Sequence, residues 1–489
     1  MRVFGVLSYS HHFFIGPILI QLNAFNIQFG TSGARGLVVD FSYEACWAYT
    51  AAFVQLCHEQ ADCTELVIAM DLRPSSPVIL QHICSALRHL GVEPLFCGVL
   101  PTPALAAYAK QLNLPAIMIT GSHIPFDRNG LKFYTRDGEI TKQHEAAMIS
   151  AHLPDAPIAS VQNVVVSDHA RACYLKRYTN VFSADLFRGK RIGLYQHSAA
   201  GRDLYTDLFQ QLGAQVVELG RSETFVPIDT EAVSDEDKAR AKTWCAQYQL
   251  DLLFSTDGDG DRPLVADEQG NWFRGDVLGA FCAKALRIRH LAVPVSCNTA
   301  IELSGWFETV VRTRIGSPYV IEQFEKIQGS KAGFEANGGF LLGSDLPMNG
   351  QILPALPTRD AVLPLLAIVQ LADGAPLSEL YQQLPARFTS SDRVQNIATD
   401  LSRTLIASCQ QSPELLLKAL ALETAVCSLN TTDGLRISLV NGDIIHLRPS
   451  GNAPELRCYA ESDSQAKAEF LVDTTLNWCR QQAAAQGGN

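Results

Sequence analysis

A multi-domain α/β chain closed by a smaller α+β module is the fold class this sequence predicts. Three observations carry that expectation. At 489 residues the chain exceeds the size at which one hydrophobic core keeps growing, so about two to four compact domains are expected. Short apolar runs alternate with amphipathic segments of helical length three times over, the signature of βαβ units. The last hundred or so residues abandon that alternation for strands flanked by helices.

Taken in order, the first alternation begins near Tyr43 and places apolar strands at Glu65 to Met70 and Pro115 to Thr120. The second has strands at Arg191 to Tyr195, Gln215 to Leu219 and Asp251 to Phe254, with helices at Asp203 to Leu212 and Asp235 to Tyr248. The third runs from Val293 to Phe334 and is followed by a helix from Asp360 to Leu371. Three stretches of similar size suggest structural repetition, although no short-period sequence repeat is visible. The final module reads as one helix from Leu401 to Ala421, strands at Leu435 to Leu439, Asp443 to Leu447 and Leu456 to Ala460, and a helix from Ser464 to Arg480. The Ala-, Gln- and Gly-rich tail from Gln481 to Asn489 is expected to fray.

Composition narrows the function. With 47% hydrophobic and 18% charged residues the chain is of ordinary globular type. A net charge of -11 argues against nucleic-acid or anionic-membrane partners, so an anionic ligand must be held by local groups. Thirteen cysteines without a CxxC pair suggest reduced thiols in a cytoplasm rather than disulfides or zinc. The apolar run Phe13 to Ile20 is too short to span a membrane and lacks a clean cleavage site, so residues 1–23 read as an extra N-terminal segment.

Four loops carry chemistry. The first, Thr120 to Lys132, follows a strand, where ligand sites of open α/β sheets gather. Ser122 is either a turn-capping serine or a nucleophile and phosphoryl carrier, Lys132 could balance phosphate charge, and His123 suits a hydrogen-bonding role better than metal ligation. The second is Ser255-Thr256-Asp257-Gly258-Asp259-Gly260-Asp261-Arg262. Alternate carboxylates Asp257, Asp259 and Asp261 can converge on one hard divalent cation, with magnesium the natural choice and room for a phosphate oxygen beside it. An EF-hand is set aside because Arg262 stands where that loop requires glycine and the flanks read as strands.

The third loop, Phe334 to Phe340, offers Glu335 and Asn337 in a glycine-bounded turn suited to sugar hydroxyls, or simply a polar turn. The fourth, Arg448 to Arg457, holds two arginines, Ser450, Gly451 and Asn452, which is either a phosphate-binding inventory or an arginine-bearing hairpin. The chain contains no G-x-x-x-x-G-K-[ST], G-x-S-x-G or H-E-x-x-H, so phosphate chemistry is what the four loops share.

Together with Phe29-Gly30-Thr31-Ser32-Gly33-Ala34-Arg35-Gly36, these loops in this order resemble the α-D-phosphohexomutase family over nearly the whole chain. The resemblance implies four domains around a central cleft, three similar α/β domains and a smaller α+β one, here expected at 1–167, 168–272, 273–384 and 385–489. It implies that Ser122 is a phosphoserine whose phosphate shares a magnesium ion with Asp257, Asp259 and Asp261, and that Arg35, Lys132 and His123 line the catalytic centre. Glu335, Asn337, Gly338 and Arg262 would meet the substrate, while Arg448, Ser450, Gly451, Asn452 and Arg457 would grip the phosphate not being transferred. The implied reaction interconverts hexose 1-phosphate and hexose 6-phosphate through a bound hexose 1,6-bisphosphate, in a monomer or homodimer whose partner is a small sugar phosphate.

The sequence also departs from the family pattern. Gly121 and Ile124 stand where members commonly have alanine and asparagine, Ser317 where several have histidine, and the sugar loop lacks the usual serine. That loop resembles bacterial members acting on mannose phosphates, so mannose is the expected sugar and glucose or glucosamine the alternative. A silent sugar-phosphate binding protein and a calcium module at Asp257 to Glu268 are the rivals of other classes.

Overall fold

The computed structural model describes residues 20–161, 163–449 and 455–487. The apolar run before Ile20 therefore lies outside the described residues, as do Ser450, Gly451 and Asn452. Ile20 itself bridges to Leu153, and Leu22 is buried in the core beneath the first sheet, so the end of the expected extension is packed against the fold.

The first three sheets repeat one topology. In the first, strand Glu65–Met70 is flanked in parallel by Glu93–Val99 and Ala116–Ile119, and the last of these turns back into antiparallel Arg128–Thr135. In the second, Arg191–Tyr195 is flanked by Gln215–Leu219 and Leu252–Thr256, which turns back into Pro263–Ala266. In the third, His290–Pro294 is flanked by Thr309–Thr313 and Lys331–Phe334, which turns back into Phe340–Leu342. Each turn-back loop follows the carboxyl end of a parallel strand, where backbone and side chains are free to meet a ligand. The three loops are those holding Ser122, the three aspartates, and Glu335 with Asn337. The repetition inferred from pattern alone is thus a repetition of sites.

Local chemistry explains the elements. Helix Asp235–Tyr248 starts where the Ser234 hydroxyl accepts the Asp237 N–H and ends at Gln249 in the left-handed region. The strands Arg191–Tyr195 and Gln215–Leu219 fall where their apolar runs predict. Leu401 to Ala421 is two helices, Thr399–Gln411 and Pro413–Ala419, because Pro413 cannot donate within a helix interior and instead opens the second one. The last helix runs Gln465–Gly487, past the expected fray point, since alanine and glutamine favour helix. Among the described residues no single helix is long and apolar enough to cross a membrane.

The last module is an antiparallel five-stranded sheet, Phe388–Gln395, Glu455–Ser462, Ile444–Pro449, Leu435–Leu439 and Val426–Asn430 in spatial order. It has a hydrophobic core of its own, from Val394 to Cys479, whereas one apolar cluster runs from Val67 through Phe254 to Leu380 and joins the three repeats. A buried polar bond reinforces that junction: the Tyr174 and Tyr178 hydroxyls both donate to Asp360, Tyr174 at 2.8 Å, and Asp360 also accepts the Val362 N–H at 2.9 Å.

Asp360→Ala should therefore strand two buried hydroxyls and lower stability by about 3 kcal/mol. The check is the urea midpoint of the first unfolding transition, which should fall, and an unchanged midpoint would contradict it.

Candidate active site

Ser122 is 1% exposed and adopts φ of 54°, a left-handed conformation that costs a non-glycine residue about 1 kcal/mol or more. Something must hold it there, and Arg73 does. One of its terminal nitrogens donates to the Ser122 and Ile124 carbonyls at 2.9 and 2.6 Å, the other to those of Pro125 and Arg128 at 2.7 and 2.8 Å. Its guanidinium lies 4.0 Å from the Phe225 ring centroid and 3.3 Å from Asp71, which in turn accepts the Ser76 and Thr120 hydroxyls. The Thr120 hydroxyl oxygen accepts the Ser122 N–H at 2.8 Å. Gly121 is required by this brace: a Cβ there would stand 2.5 Å from the Arg73 guanidinium carbon.

The Ser122 hydroxyl donates to Asp257 at 2.6 Å, and the His123 ring nitrogen Nδ1 lies 3.3 Å from it. Asp257, Asp259 and Asp261 are each no more than 1% exposed, with one oxygen apiece lying within 4.8 Å of the others. Gly258 lets the loop reach the serine, since a Cβ would come within 2.9 Å of the Ser122 carbonyl oxygen. Lys132 Nζ donates to Asp259 at 2.5 Å and to Asp261 at 2.6 Å, Arg359 donates to Asp261 at 3.0 Å, and the Thr102 hydroxyl donates to Asp259 at 2.6 Å. Even so, Oδ1 of Asp259 and Oδ1 of Asp261 are buried without a hydrogen-bond donor. Buried carboxylate oxygens left short of donors, beside a third carboxylate, suit a hard divalent cation.

Electrostatics follow from this crowding. Burial pushes the Asp257 carboxyl up, and repulsion from Asp259 and Asp261 pushes it further. Burial acts the same way on Asp261 but is outweighed by Arg359, Lys132 and Arg262, which hold it far below the usual range. Lys132 is pushed down by burial yet raised overall by Asp259 and Asp261, so it stays an ammonium. His123 is held far below its ordinary value by the Arg262 guanidinium, then by burial and Arg35, and stays neutral. Arg35, beside Gly130 on the neighbouring strand, is lowered to about 10 by burial and by the repulsion of Arg262 and Arg359.

The third loop meets this cluster through Arg359, which donates to Glu335 and to the Ser317 hydroxyl oxygen, both at 3.0 Å. Ser317 donates to Glu139, which also accepts from Ser32 of the N-terminal motif. The Asn337 side-chain oxygen accepts the Gly339 N–H at 3.0 Å, and its carbonyl accepts the Thr230 hydroxyl. Gly338 donates its N–H to the Glu335 carbonyl. Arg262 sits 3.6 Å from Asp261. Arg448 and Arg457 pair across neighbouring strands of the last module, where Arg448 Nε lies 2.9 Å from Asp433. Glu231, raised by burial and by Asp229, lies in the fields of Arg274, Arg457 and Arg262.

Sequence reasoning missed Arg73, Asp71, Arg359, Thr102 and Glu139. The Asp71-Leu72-Arg73 segment did carry a signal, because it directly follows a strand end. Arg359 carried none, lying between Thr358 and Asp360 on a strand, outside every motif read from the sequence.

Comparison with known proteins finds one family along most of the chain. Family models for phosphoglucomutase/phosphomannomutase match as α/β/α domain I over residues 26–156, α/β/α domain III over 274–388 and the C-terminal domain over 405–477. A phosphomannomutase of Salmonella muenchen is 50% identical over 462 residues, 93% of this chain and 96% of its own. One of Sinorhizobium fredii is 41% identical over 460 residues, 91% and 97% of the two chains. The crystal structure of a phosphoglucomutase/phosphomannomutase family protein from Burkholderia thailandensis shares the fold, with a TM-score of 0.73 at 19% identity over 93% and 98% of the two chains.

Gly121→Ala should dislodge Arg73 and lower phosphate incorporation on Ser122 at least about tenfold, the effect of about 1.4 kcal/mol; intact-mass labelling checks it, and full labelling would contradict it. Magnesium chloride should also raise the melting temperature, by the equivalent of about 2.7 kcal/mol at a hundredfold excess over Kd. That gain should vanish in Asp261→Asn.

Proposed function

We propose that this chain, which belongs to the phosphoglucomutase/phosphomannomutase family, is a phosphomannomutase. It carries a phosphoryl group on Ser122 and interconverts mannose 1-phosphate and mannose 6-phosphate through a bound 1,6-bisphosphate. The observation that carries the reading is the 2.6 Å contact between the Ser122 hydroxyl and Asp257, inside a buried carboxylate cluster lined by Lys132 and Arg359. The 50% and 41% identical phosphomannomutases support the choice of sugar.

Asp257, Asp259 and Asp261 would hold magnesium together with an oxygen of phospho-Ser122. That ion, when bound, neutralises charge on the phosphoryl oxygens. The chain's own residues do the rest. Arg73 fixes the loop so that Ser122 returns to one place in every cycle, and transfer of a loosely bonded phosphoryl group needs positioning more than covalent help. Lys132 stays cationic between Asp259 and Asp261 and presents charge beside the transferring group. Arg35 and Arg262 add guanidinium donors, and His123, kept neutral, neither repels the incoming cation nor competes for the phosphate. Glu335, Asn337 and Gly338 shape the sugar subsite, while Arg448 and Arg457, with Ser450, Gly451 and Asn452, grip the phosphate that is not moving. After the first transfer the bisphosphate turns end for end and gives its other phosphate back to Ser122. Thirteen unpaired cysteines suit a reducing cytoplasm.

Coupled assays on mannose, glucose and glucosamine 1-phosphates should show the highest kcat/KM for mannose, and negligible turnover of mannose 1-phosphate would refute the sugar assignment. Ser122→Ala should lose both the phosphate adduct seen by intact mass and about 1,000-fold or more of the turnover, the scale on which losing a covalent carrier acts. Full bisphosphate-dependent activity in that variant would sink the carrier role.

A further inference from the structure

Two polar clusters tie the last module, with its separate core, to the third repeat, and Arg274 adds a longer bond of 3.5 Å to the Thr389 carbonyl. At the first, Glu461 accepts the Thr299 N–H at 3.0 Å, the Thr299 hydroxyl, and Arg387 Nε at 2.6 Å, with Arg387 standing just before the module's first strand. At the second, the hairpin turn between Val426–Asn430 and Leu435–Leu439 reaches the turn that ends strand Thr309–Thr313. There one oxygen of Asp433 accepts the Ile315 N–H at 3.0 Å and lies 2.9 Å from Arg448 Nε. Beside it the Thr432 carbonyl accepts Arg314 Nε at 3.2 Å, and the Asp433 carbonyl accepts from His446 at 2.6 Å.

The first point sits at the chain crossing and can act as a pivot. The second joins two functions in one carboxylate oxygen: it bonds the backbone of the third repeat and holds the arginine that sequence and family place at the phosphate. The contact is an ion pair and not an aligned hydrogen bond, since Arg448 Nε has no hydrogen-bond partner, so Asp433 supplies charge beside a guanidinium whose planar fork suits phosphate.

We propose that Asp433 is a positioning residue of the phosphate clamp, aiming Arg448 while it latches the last module onto the third repeat. The inference rests on the mutase reading for Arg448 but assigns a residue that reading does not use. Because latching and aiming share one oxygen, a phosphate that binds well-aimed Arg448 also favours the closed cleft, and closure favours the phosphate by the same factor. The bisphosphate, whichever end lies at Ser122, is retained by that coupling while it turns.

The test compares wild type, Asp433→Asn and Asp433→Ala, with kcat and KM for mannose 1-phosphate at saturating bisphosphate. Small-angle scattering, with and without mannose 6-phosphate, reads closure independently of turnover. Asp433→Asn keeps an acceptor for the Ile315 N–H and a favourable turn before Gly434 but loses the charge that holds Arg448. Asp433→Ala should raise KM about tenfold, with kcat within about threefold, as expected for lost ground-state grip equivalent to about 1.4 kcal/mol. Asp433→Asn should fall between it and wild type, and the contraction on adding mannose 6-phosphate should shrink in Asp433→Ala. An unchanged KM in both variants, or a loss confined to kcat and melting temperature, would overturn the assignment. Wild type silent on every hexose 1-phosphate would instead sink the mutase reading. Scattering with inorganic phosphate would then decide the latch alone: contraction lost in Asp433→Ala keeps it, and contraction intact removes it.

Discussion

A buried knot of charge between three sheets governs the rest of this structure. Asp257, Asp259 and Asp261 come from the second repeat, Lys132 from the first and Arg359 from the third, and all are almost wholly buried. An uncompensated buried ion costs several kcal/mol, so none of these repeats can bury its own charge without the other two. Docking the repeats and assembling the reaction centre are therefore one event. The compensation is also incomplete, because two carboxylate oxygens accept no hydrogen bond, and those open acceptors are what suit the centre to a cation.

The shared topology explains why the three loops can meet at all. Each lies after the third strand of a parallel trio, before the chain turns back, so each sits at the same end of its own sheet. Packing three such sheets with one continuous apolar cluster brings those ends together. The last module stands outside that arrangement, with its own core and attachments made by Glu461, Asp433 and Arg314. Polar attachments can exchange partners at small cost, whereas parting an apolar interface exposes surface at about 25 cal/mol per Å². The part joined by apolar packing thus holds Ser122, and the part joined by polar attachments holds Arg448 and Arg457.

How much of this could be read from the sequence depended on the range of the interaction. Strands such as Gln215–Leu219 and the helix Asp235–Tyr248 are set by patterns within a dozen residues, and they fall where those patterns put them. The aspartate triad was equally visible, because its carboxylates alternate within five residues. The helix break at Ser412 was missed although Pro413 marks it, since the apolar period continues across it. Arg73 and Arg359 were missed for a deeper reason. Arg73 acts on a loop some fifty residues away and Arg359 on an aspartate about a hundred residues away, and no local spacing records such a pairing. Gly121, noticed only as a departure from the family, has its cause in Arg73.

The sugar loop shows why substrate choice is harder to read than reaction type. Glu335, a plausible acceptor for a hydroxyl, already accepts from Arg359, and the Asn337 side-chain oxygen already accepts the Gly339 N–H. Both residues are thereby committed to fixing the loop before any ligand arrives, and the Glu335 bond ties that shape to Asp261 through a single guanidinium. A change at Glu335 would then reach the aspartate cluster as well as its own loop. In the mutase reading, the bonded atoms of those two side chains are not free partners for a hexose hydroxyl. Part of the selection would then reside in the shape they impose, and a fixed shape would suit a reaction in which one pocket accepts the bisphosphate in two orientations.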